Sequence, residues 1–238
     1  MTLCLAIETA TDSASVAVGE PGALAAEVTL GKRRTASALV PAIEYCLQLS
    51  ERRFADLECI VLADGPGSFT GLRIGMATVQ GLLTEREIPV RITPSLMGAA
   101  WHAAAGDGTP VGALYGALRG DVFAAVYAFS ATAVTEHLAP ALVPANALVA
   151  SSPVVPRIAV GDGAAGVSEA IRRWTGQPPF GGGQAVSRAG GLLELMTLDG
   201  GSRPVEPFSE FQPTYGRHAE AQVRWEREHG RTLPHATD

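Results

Sequence analysis

Residues Ala63-Asp64-Gly65-Pro66-Gly67-Ser68-Phe69-Thr70-Gly71-Leu72-Arg73-Ile74-Gly75 gather glycines, hydroxyls and a carboxylate between a buried apolar run and a helical one. A helix start in that position can cradle an anion with its backbone N–H groups. It is not a Walker loop: Gly-Lys-Ser/Thr is missing, and the single lysine, Lys32, lies elsewhere. Nor is it a dinucleotide fingerprint, because the spacing after Gly67 is one residue too long. Pro66 also removes a donor. Two readings stay open. One is an anion site. The other is a tight strand-to-helix turn in which Gly67 or Gly71 takes a backbone conformation poorly open to other residues.

Other constellations are poorer. The histidines are His102, His137, His218, His229 and His235, and no two are four apart, so none share a helical face as metal ligands. No Gly-x-Ser-x-Gly elbow is present for a serine hydrolase. Cys4, Cys46 and Cys59 are odd in number, widely spaced and set in apolar stretches, which fits reduced core residues rather than a disulfide frame or zinc site.

The elements that position these residues follow from the apolar pattern. Leu3–Glu8, Ser15–Gly19 and Ala23–Leu30 read as three successive strands. A helix over Ser37–Ser50 follows, then a strand at Cys59–Ala63, a helix over Gly71–Arg86, a strand at Pro89–Ile92, and a helix from Pro94 to about Ala104. After the joint Ala105–Pro110, Val111–Ala117 and Val122–Phe129 flank Leu118-Arg119-Gly120-Asp121 as a hairpin. A helix near Asn146, a strand at Arg157–Val160, and helices over Ala164–Thr175 and Gly190–Leu198 complete the chain, with Gln177–Gln184 a loop. The order βββαβαβα, begun twice, resembles the two ribonuclease-H-like lobes of the actin, sugar-kinase and Hsp70 superfamily. The expected lobes are residues 1–105 and 106–238.

The 238 residues are 47% hydrophobic and 18% charged, which excludes a disordered tail or a collagen-like chain. The net charge of −6 argues against an unaided nucleic-acid binder, since phosphate contacts need a basic surface. The short runs Lys32-Arg33-Arg34 and Arg52-Arg53 read as solvated surface. The first apolar run has no basic region before it and meets Glu8 at once, so a strand is expected there rather than a signal peptide. No apolar run reaches the ~18–20 residues of a membrane span, and a cytoplasmic protein is expected.

The whole of Gly65–Gly75 resembles the signature of the bacterial TsaB (YeaZ) family. So do Leu5-Ala6-Ile7-Glu8-Thr9-Ala10-Thr11, Ala77 with Gln80-Gly81-Leu82, Pro94-Ser95-Leu96 and Pro213-Thr214-Tyr215-Gly216-Arg217. The likeness covers residues 3–100 most strongly and stays collinear beyond. Several positions depart from the pattern. Glu8 stands where Asp is usual, Thr35 replaces a His, Gly116-Ala117-Leu118 replaces Asp-Ala-Arg, and Gly216 replaces an apolar residue; Glu220–Asp238 extends past the usual end. Glu8 and Gly116 weaken any phosphoryl-transfer site, which needs carboxylates that position a metal. Glu8, Thr9, Thr11, Gly65, Gly67 and Ser68 are the candidate nucleotide contacts.

The resemblance implies a non-catalytic subunit that binds TsaD and works with the ATPase TsaE. That complex carries a threonylcarbamoyl group from its adenylate to N6 of adenosine 37 in tRNAs reading codons that start with A. ATP and metal are then expected on the partner subunits, tRNA contact only through the complex, and a homodimer when TsaD is missing. The family docks through a four-helix contact made by the first two helices.

The helices have faces for it. Ser37, Pro41, Glu44 and Gln48 form a narrow polar edge on the first helix, and the apolar remainder is about twice the ~100° stripe that one core needs. Pro41 is tolerable there if it lies in the first turn. On the second helix Leu72, Met76, Val79 and Leu83 form the expected core stripe, opposite Ile74, Ala77, Thr78 and Gly81. Ala38, Tyr45, Leu49, Ile74, Ala77, Thr78 and Gly81 are therefore the candidate partner interface. The rival reading is an enzyme acting alone, either a small actin-like kinase or a glycoprotease-like peptidase.

Overall fold

Strand β1 (Cys4–Glu8) is buried along its whole length and alternates large and small side chains. It pairs antiparallel with β2 (Ser15–Glu20) and parallel with β4 (Cys59–Ala63), so it lies inside a sheet. Leu5 and Ile7, with Ile60 and Leu62 of β4, face helices α1 (Thr35–Leu49) and α2 (Phe69–Glu85). Cys4, Ala6, Cys59, Val61 and Ala63 form the opposite, shallower face, which α6 (Ala189–Leu195) covers with Leu192 and Leu193. Near-continuous apolar strands are what a sheet covered on both faces requires.

The computed structural model describes residues 2–31, 34–117, 120–180 and 186–215. Among them the first sheet has the order β10-β5-β4-β1-β2-β3, with β3 at Ala23–Thr29, β5 at Val90–Thr93 and β10 at Arg203–Val205. The second has the order β8-β7-β6-β9, with β6 at Val111–Gly116, β7 at Asp121–Phe129, β8 at Val134–Pro144 and β9 at Ile158–Val160. Helix α3 (Ser95–Trp101) packs Leu96, Met97, Ala99 and Ala100 against Val111, Tyr115, Phe123 and Tyr127. Helices α4 (Leu148–Ser151) and α5 (Ser168–Thr175) cover the far face around Trp174. The chain is thus mixed α/β with the actin/sugar-kinase type of fold, and its first 101 residues follow the order βββαβαβα. All three cysteines are free and buried.

Several elements differ from the sequence reading. Helix α1 starts at Thr35, which puts Pro41 in the helix interior rather than its first turn. The site tolerates it because Pro41 and Ser37 are both exposed, so the Ser37 carbonyl left without a donor can meet water. Helix α3 stops at Trp101, and a 3₁₀ turn at Ala165–Val167 precedes α5. Strand β8 was not foreseen as a strand. It is a largely exposed edge whose register slips, and Pro140 falls in the slip between Leu138 and Ala141. Strand β10 carries Pro204 on another edge.

α6 and β10 also bear on the two expected sequential lobes, 1–105 and 106–238. Both belong to the second half of the chain, yet they cover and extend the first sheet. A division near residue 105 has to accommodate that return. The hairpin tip at 118–119, part of the loop at 177–184 and the extension 220–238 lie outside the described residues.

Candidate functional site

The turn at Asp64–Gly71 joins β4 to α2 and lies on the loop that leaves β1. Ser68 donates its N–H to the Ala10 carbonyl at 2.7 Å and caps α2 by accepting the Gly71 N–H on its hydroxyl at 3.2 Å. The Leu72 N–H is bonded to the Ser68 carbonyl. Two of the four amides at the start of α2, those of Ser68 and Gly71, are therefore used within the protein, which favours the reading of the turn as a packing device.

The glycines confirm this in an unforeseen way. The left-handed backbone is at Gly65, φ +104°, and neither Gly67 nor Gly71 has a positive φ. A Cβ on Gly67 would strike Ala10, one on Gly71 would strike the Thr9 carbonyl, and one on Gly75 would lie 2.6 Å from the Thr9 hydroxyl. Close approach of α2 to residues 9 and 10 is what these positions require.

The chain's closing segment then locks the turn. Thr214 donates its N–H to the Asp64 carbonyl at 2.7 Å and its hydroxyl to Asp64 Oδ2 at 3.4 Å. Tyr215 packs on Phe69 with ring centroids 4.7 Å apart, and the Arg73 guanidinium sits 4.5 Å over the same Phe69 ring. Pro66 and Thr70 complete the turn, while Gly216 and Arg217 lie outside the described residues.

Burial raises the Asp64 carboxyl to about 6, against the opposing pull of Arg203 and Thr214. Burial likewise pushes Glu8 up, with the Ser187 hydroxyl, the Ala10 amide and the Ser95 hydroxyl acting the other way. The Glu8 carboxyl is closed off from solvent, and its Oε1 accepts the Ala10 N–H at 2.7 Å.

Between the lobes lies a cavity of about 200 Å³ lined by Thr11, Asp12, Gly67, Ser68, Gly116 and Asp162, among others. Of the six candidate nucleotide contacts, Thr11, Gly67 and Ser68 reach it; Glu8, Thr9 and Gly65 do not line it. The fold type implies a nucleotide with a divalent cation here. The residues present do not fit one. The cavity is smaller than the ~300–1,000 Å³ usual for drug-sized ligands, and the Glu8 carboxyl is engaged inside the protein. Among the described residues, no three His, Cys, Asp or Glu side chains are grouped to hold a metal ion.

Sequence patterns point to Ser95 only through Pro94-Ser95-Leu96, and to Tyr115, Ser187 and Arg203 not at all. Tyr115 is the most connected of these. Its hydroxyl donates to the Ser95 carbonyl at 3.1 Å and accepts the Ser187 N–H at 3.0 Å, tying β6 to α3 and to the segment before α6.

On the outer surface α1 and α2 lie side by side. Tyr45 and Leu49 are 52% and 53% exposed, and Val40 is 47% exposed. Tyr45 and Leu49 are one turn apart and form a contiguous apolar patch of the kind that marks an interaction surface, while Val40 lies on the other flank of the helix. On α2, Ala77 and Gly81 are exposed, and nothing lies within 4 Å of a Cβ placed on Gly81. Ala38, Ile74 and Thr78 are half-buried, the first two resting on the core. Leu72, Met76 and Val79 point inward, and Leu83 is half-buried. The α1–α2 pair thus presents an apolar ridge next to a shallow floor of small residues.

Among the described residues no helix is long and apolar enough to cross a membrane. Residues 29–190 match the family model described as TsaD, tRNA N6-adenosine threonylcarbamoyltransferase. The tRNA threonylcarbamoyladenosine biosynthesis protein TsaB of Escherichia coli (strain K12) is 36% identical over 124 residues, 52% of this chain and 54% of that protein. The protein of the same description from Bacillus subtilis (strain 168) is 31% identical over 126 residues, 52% of this chain and 55% of its own. The match thus spans about half the length of each relative. In structure, YeaZ from Pseudomonas aeruginosa superposes with a TM-score of 0.69 at 25% identity, covering 81% of this chain and 89% of that one.

Proposed function

Since the chain belongs to the TsaD family, and within it to the TsaB/YeaZ type, we propose that it is the non-catalytic partner subunit of a tRNA threonylcarbamoyltransferase. In this reading it binds a TsaD-type protein, works with a TsaE-type ATPase, and supports threonylcarbamoyl transfer to N6 of adenosine 37. It touches tRNA only through the complex, pairs with itself when TsaD is missing, and leaves ATP and metal to its partners.

The observation that carries this reading is the exposed apolar pair Tyr45 and Leu49 on α1, with Ala77 and Gly81 exposed on the neighbouring α2. A partner helix can approach small residues closely, and Tyr45 is a large anchor with a polar tip. Ala38, Ile74 and Thr78 form the floor of the same face. The two helices are fixed from behind by the core, so the face is preorganised, and little ordering cost opposes docking. The buried Glu8 and the small cleft support a role without chemistry of its own.

The test is reconstitution. The chain, its native TsaD-type and TsaE-type partners, tRNA and threonylcarbamoyl-adenylate are combined in all subsets. The chain alone should modify no tRNA, and omitting it should abolish modification by the others. Turnover by the chain alone, or full activity without it, would sink the proposal.

A further inference from the structure

Cys4 and Cys59 open β1 and β4 and are register partners in the parallel pairing of those strands. Both rise from the same face of the sheet, with Ala6, Val61 and Ala63, beneath Leu192 and Leu193 of α6. Strands ~4.8 Å apart put the two Cα atoms inside the ~4.4–6.8 Å that a disulfide spans. Both thiols are free, and each is the leading influence on the other's proton affinity. Cys46 is also free, but it lies apart from them on α1, where its Sγ donates to the Val16 carbonyl at 3.4 Å.

Burial alone makes a thiol inert. Two features set this pair apart. The first is its place at the rim of the sheet. Cys4 Sγ donates to the carbonyl of exposed Thr2 at 3.4 Å, and Glu58, the neighbour of Cys59, is exposed as well. An oxidant about the size of water has a short way in.

The second feature is charge. Arg91 of β5 is the register partner of Val61, so its side chain rises from the face that carries Cys59. Ser202 holds it there, accepting Nε on its hydroxyl and Nη2 on its carbonyl, both at 2.8 Å. The Cys4 thiol foremost, and Arg91 with it, hold Cys59 below the usual thiol value against the pull of burial. The same pairing, with burial, pushes Cys4 up. The two sulfurs are thus unlike, one suited to be the thiolate and the other to keep its proton.

We propose that Cys4 and Cys59 form a redox-active dithiol that hydrogen peroxide converts to a disulfide across β1 and β4. The Cys59 sulfur attacks one peroxide oxygen and the O–O bond breaks. The other oxygen takes the proton that Cys59 gave up and departs as water, leaving a sulfenic acid on Cys59. The Cys4 sulfur then attacks the Cys59 sulfur. An S–S bond replaces the S–O bond, and the hydroxide leaves as a second water with the Cys4 proton. Two electrons have passed from the sulfurs to the peroxide. Parallel strands keep the Cβ atoms near the strand spacing, beyond the ~3.8 Å that a relaxed disulfide prefers. The bond is therefore strained and readily reduced, which makes it a reversible mark of oxidation.

The experiment treats the folded full chain with hydrogen peroxide and maps its cysteines by mass spectrometry without reduction. The Cys4 and Cys59 peptides should appear joined and two hydrogens lighter, and should separate again in reduced glutathione. The link should form at least about tenfold faster than any oxidation of Cys46, as expected of a thiolate beside a cation. In Cys4→Ala the sulfenic-acid trap dimedone should mark Cys59, whereas in Cys59→Ala it should leave Cys4 unmarked. Arg91→Gln should slow the link. The proposal is overturned if the link forms only after unfolding in urea, if Cys46 is oxidised as fast, or if dimedone marks Cys4 instead of Cys59. Should either alanine variant fail to fold, the wild-type map decides alone by the first two of these criteria.

Discussion

Arg203 reaches Asp64 from the far edge of the first sheet, with 3.9 Å between Nη2 and Oδ2. The arginine is largely exposed and the carboxylate is buried. It draws the Asp64 pKa down, but burial outweighs it and the carboxyl stands at about 6. A raised folded-state pKa adds stability below the ordinary aspartate value, which is lost as pH rises toward the folded value.

Wild-type stability should therefore fall between about pH 4 and about pH 6 by on the order of 3 kcal/mol from Asp64. Asp64→Asn should remove that part of the slope. Arg203→Ala should steepen it by raising the carboxyl further. Urea unfolding across this range checks both, and identical slopes in wild type and Asp64→Asn would refute the assignment.

Gly71→Ala should destabilise by about 1–3 kcal/mol, because its Cβ meets the Thr9 carbonyl. Gly81→Ala should stabilise by about 0.5–1 kcal/mol, because it is a helical glycine with open space around it. The pair is measured by thermal melts. Equal effects would show that close approach to residue 9 is not what excludes a side chain at position 71.

Tyr115→Phe should destabilise by about 1–3 kcal/mol, since the Ser187 N–H then loses its acceptor and the Ser95 carbonyl its donor in a buried place. The loss should appear in unfolding free energy with no change in far-UV circular dichroism. A variant as stable as wild type would mean that these two groups find other partners.

Ala77→Arg places a bulky charge on the exposed face of α2. It should abolish association with the TsaD-type partner and self-pairing while leaving the melting temperature unchanged. Size-exclusion chromatography with and without the partner reads both. A folded variant that still binds at wild-type affinity would place the interface elsewhere.

The first lobe was legible because its signals are local. Leu5 and Ile7 alternate with Cys4 and Ala6, and Gly65–Gly75 opens directly from a buried strand into a helix. The period of α2 left two stripes open; the larger one, Leu72, Met76, Val79 and Leu83, was the choice for the core, and its first three members are buried while Leu83 is half-buried. What was hidden depends on distant partners. β10 is three residues long and contains a proline, so only pairing with β5 makes it a strand. β8 is exposed and out of step with its neighbour, which blurs the two-residue period. Ser187 matters because chain far away in sequence meets it, and no spacing rule reports that. At the turn, the glycine pattern marked the right residues but not the reason: only the fold shows that Gly67 and Gly71 touch residues 9 and 10 while Gly65 alone turns left-handed.

The return of α6 and β10 to the first sheet sets a timetable for synthesis. A ribosome that has released residues up to 105 has exposed β1 through β5 but not the helix that covers Cys4, Ala6, Val61 and Ala63. That apolar face waits, and the outer edge of β5 stays unpaired, until about a hundred further residues emerge. Pairing across such a long interval is slow, and the waiting surface can aggregate. A nascent chain stalled before Ala189 should be a better chaperone substrate than its length suggests.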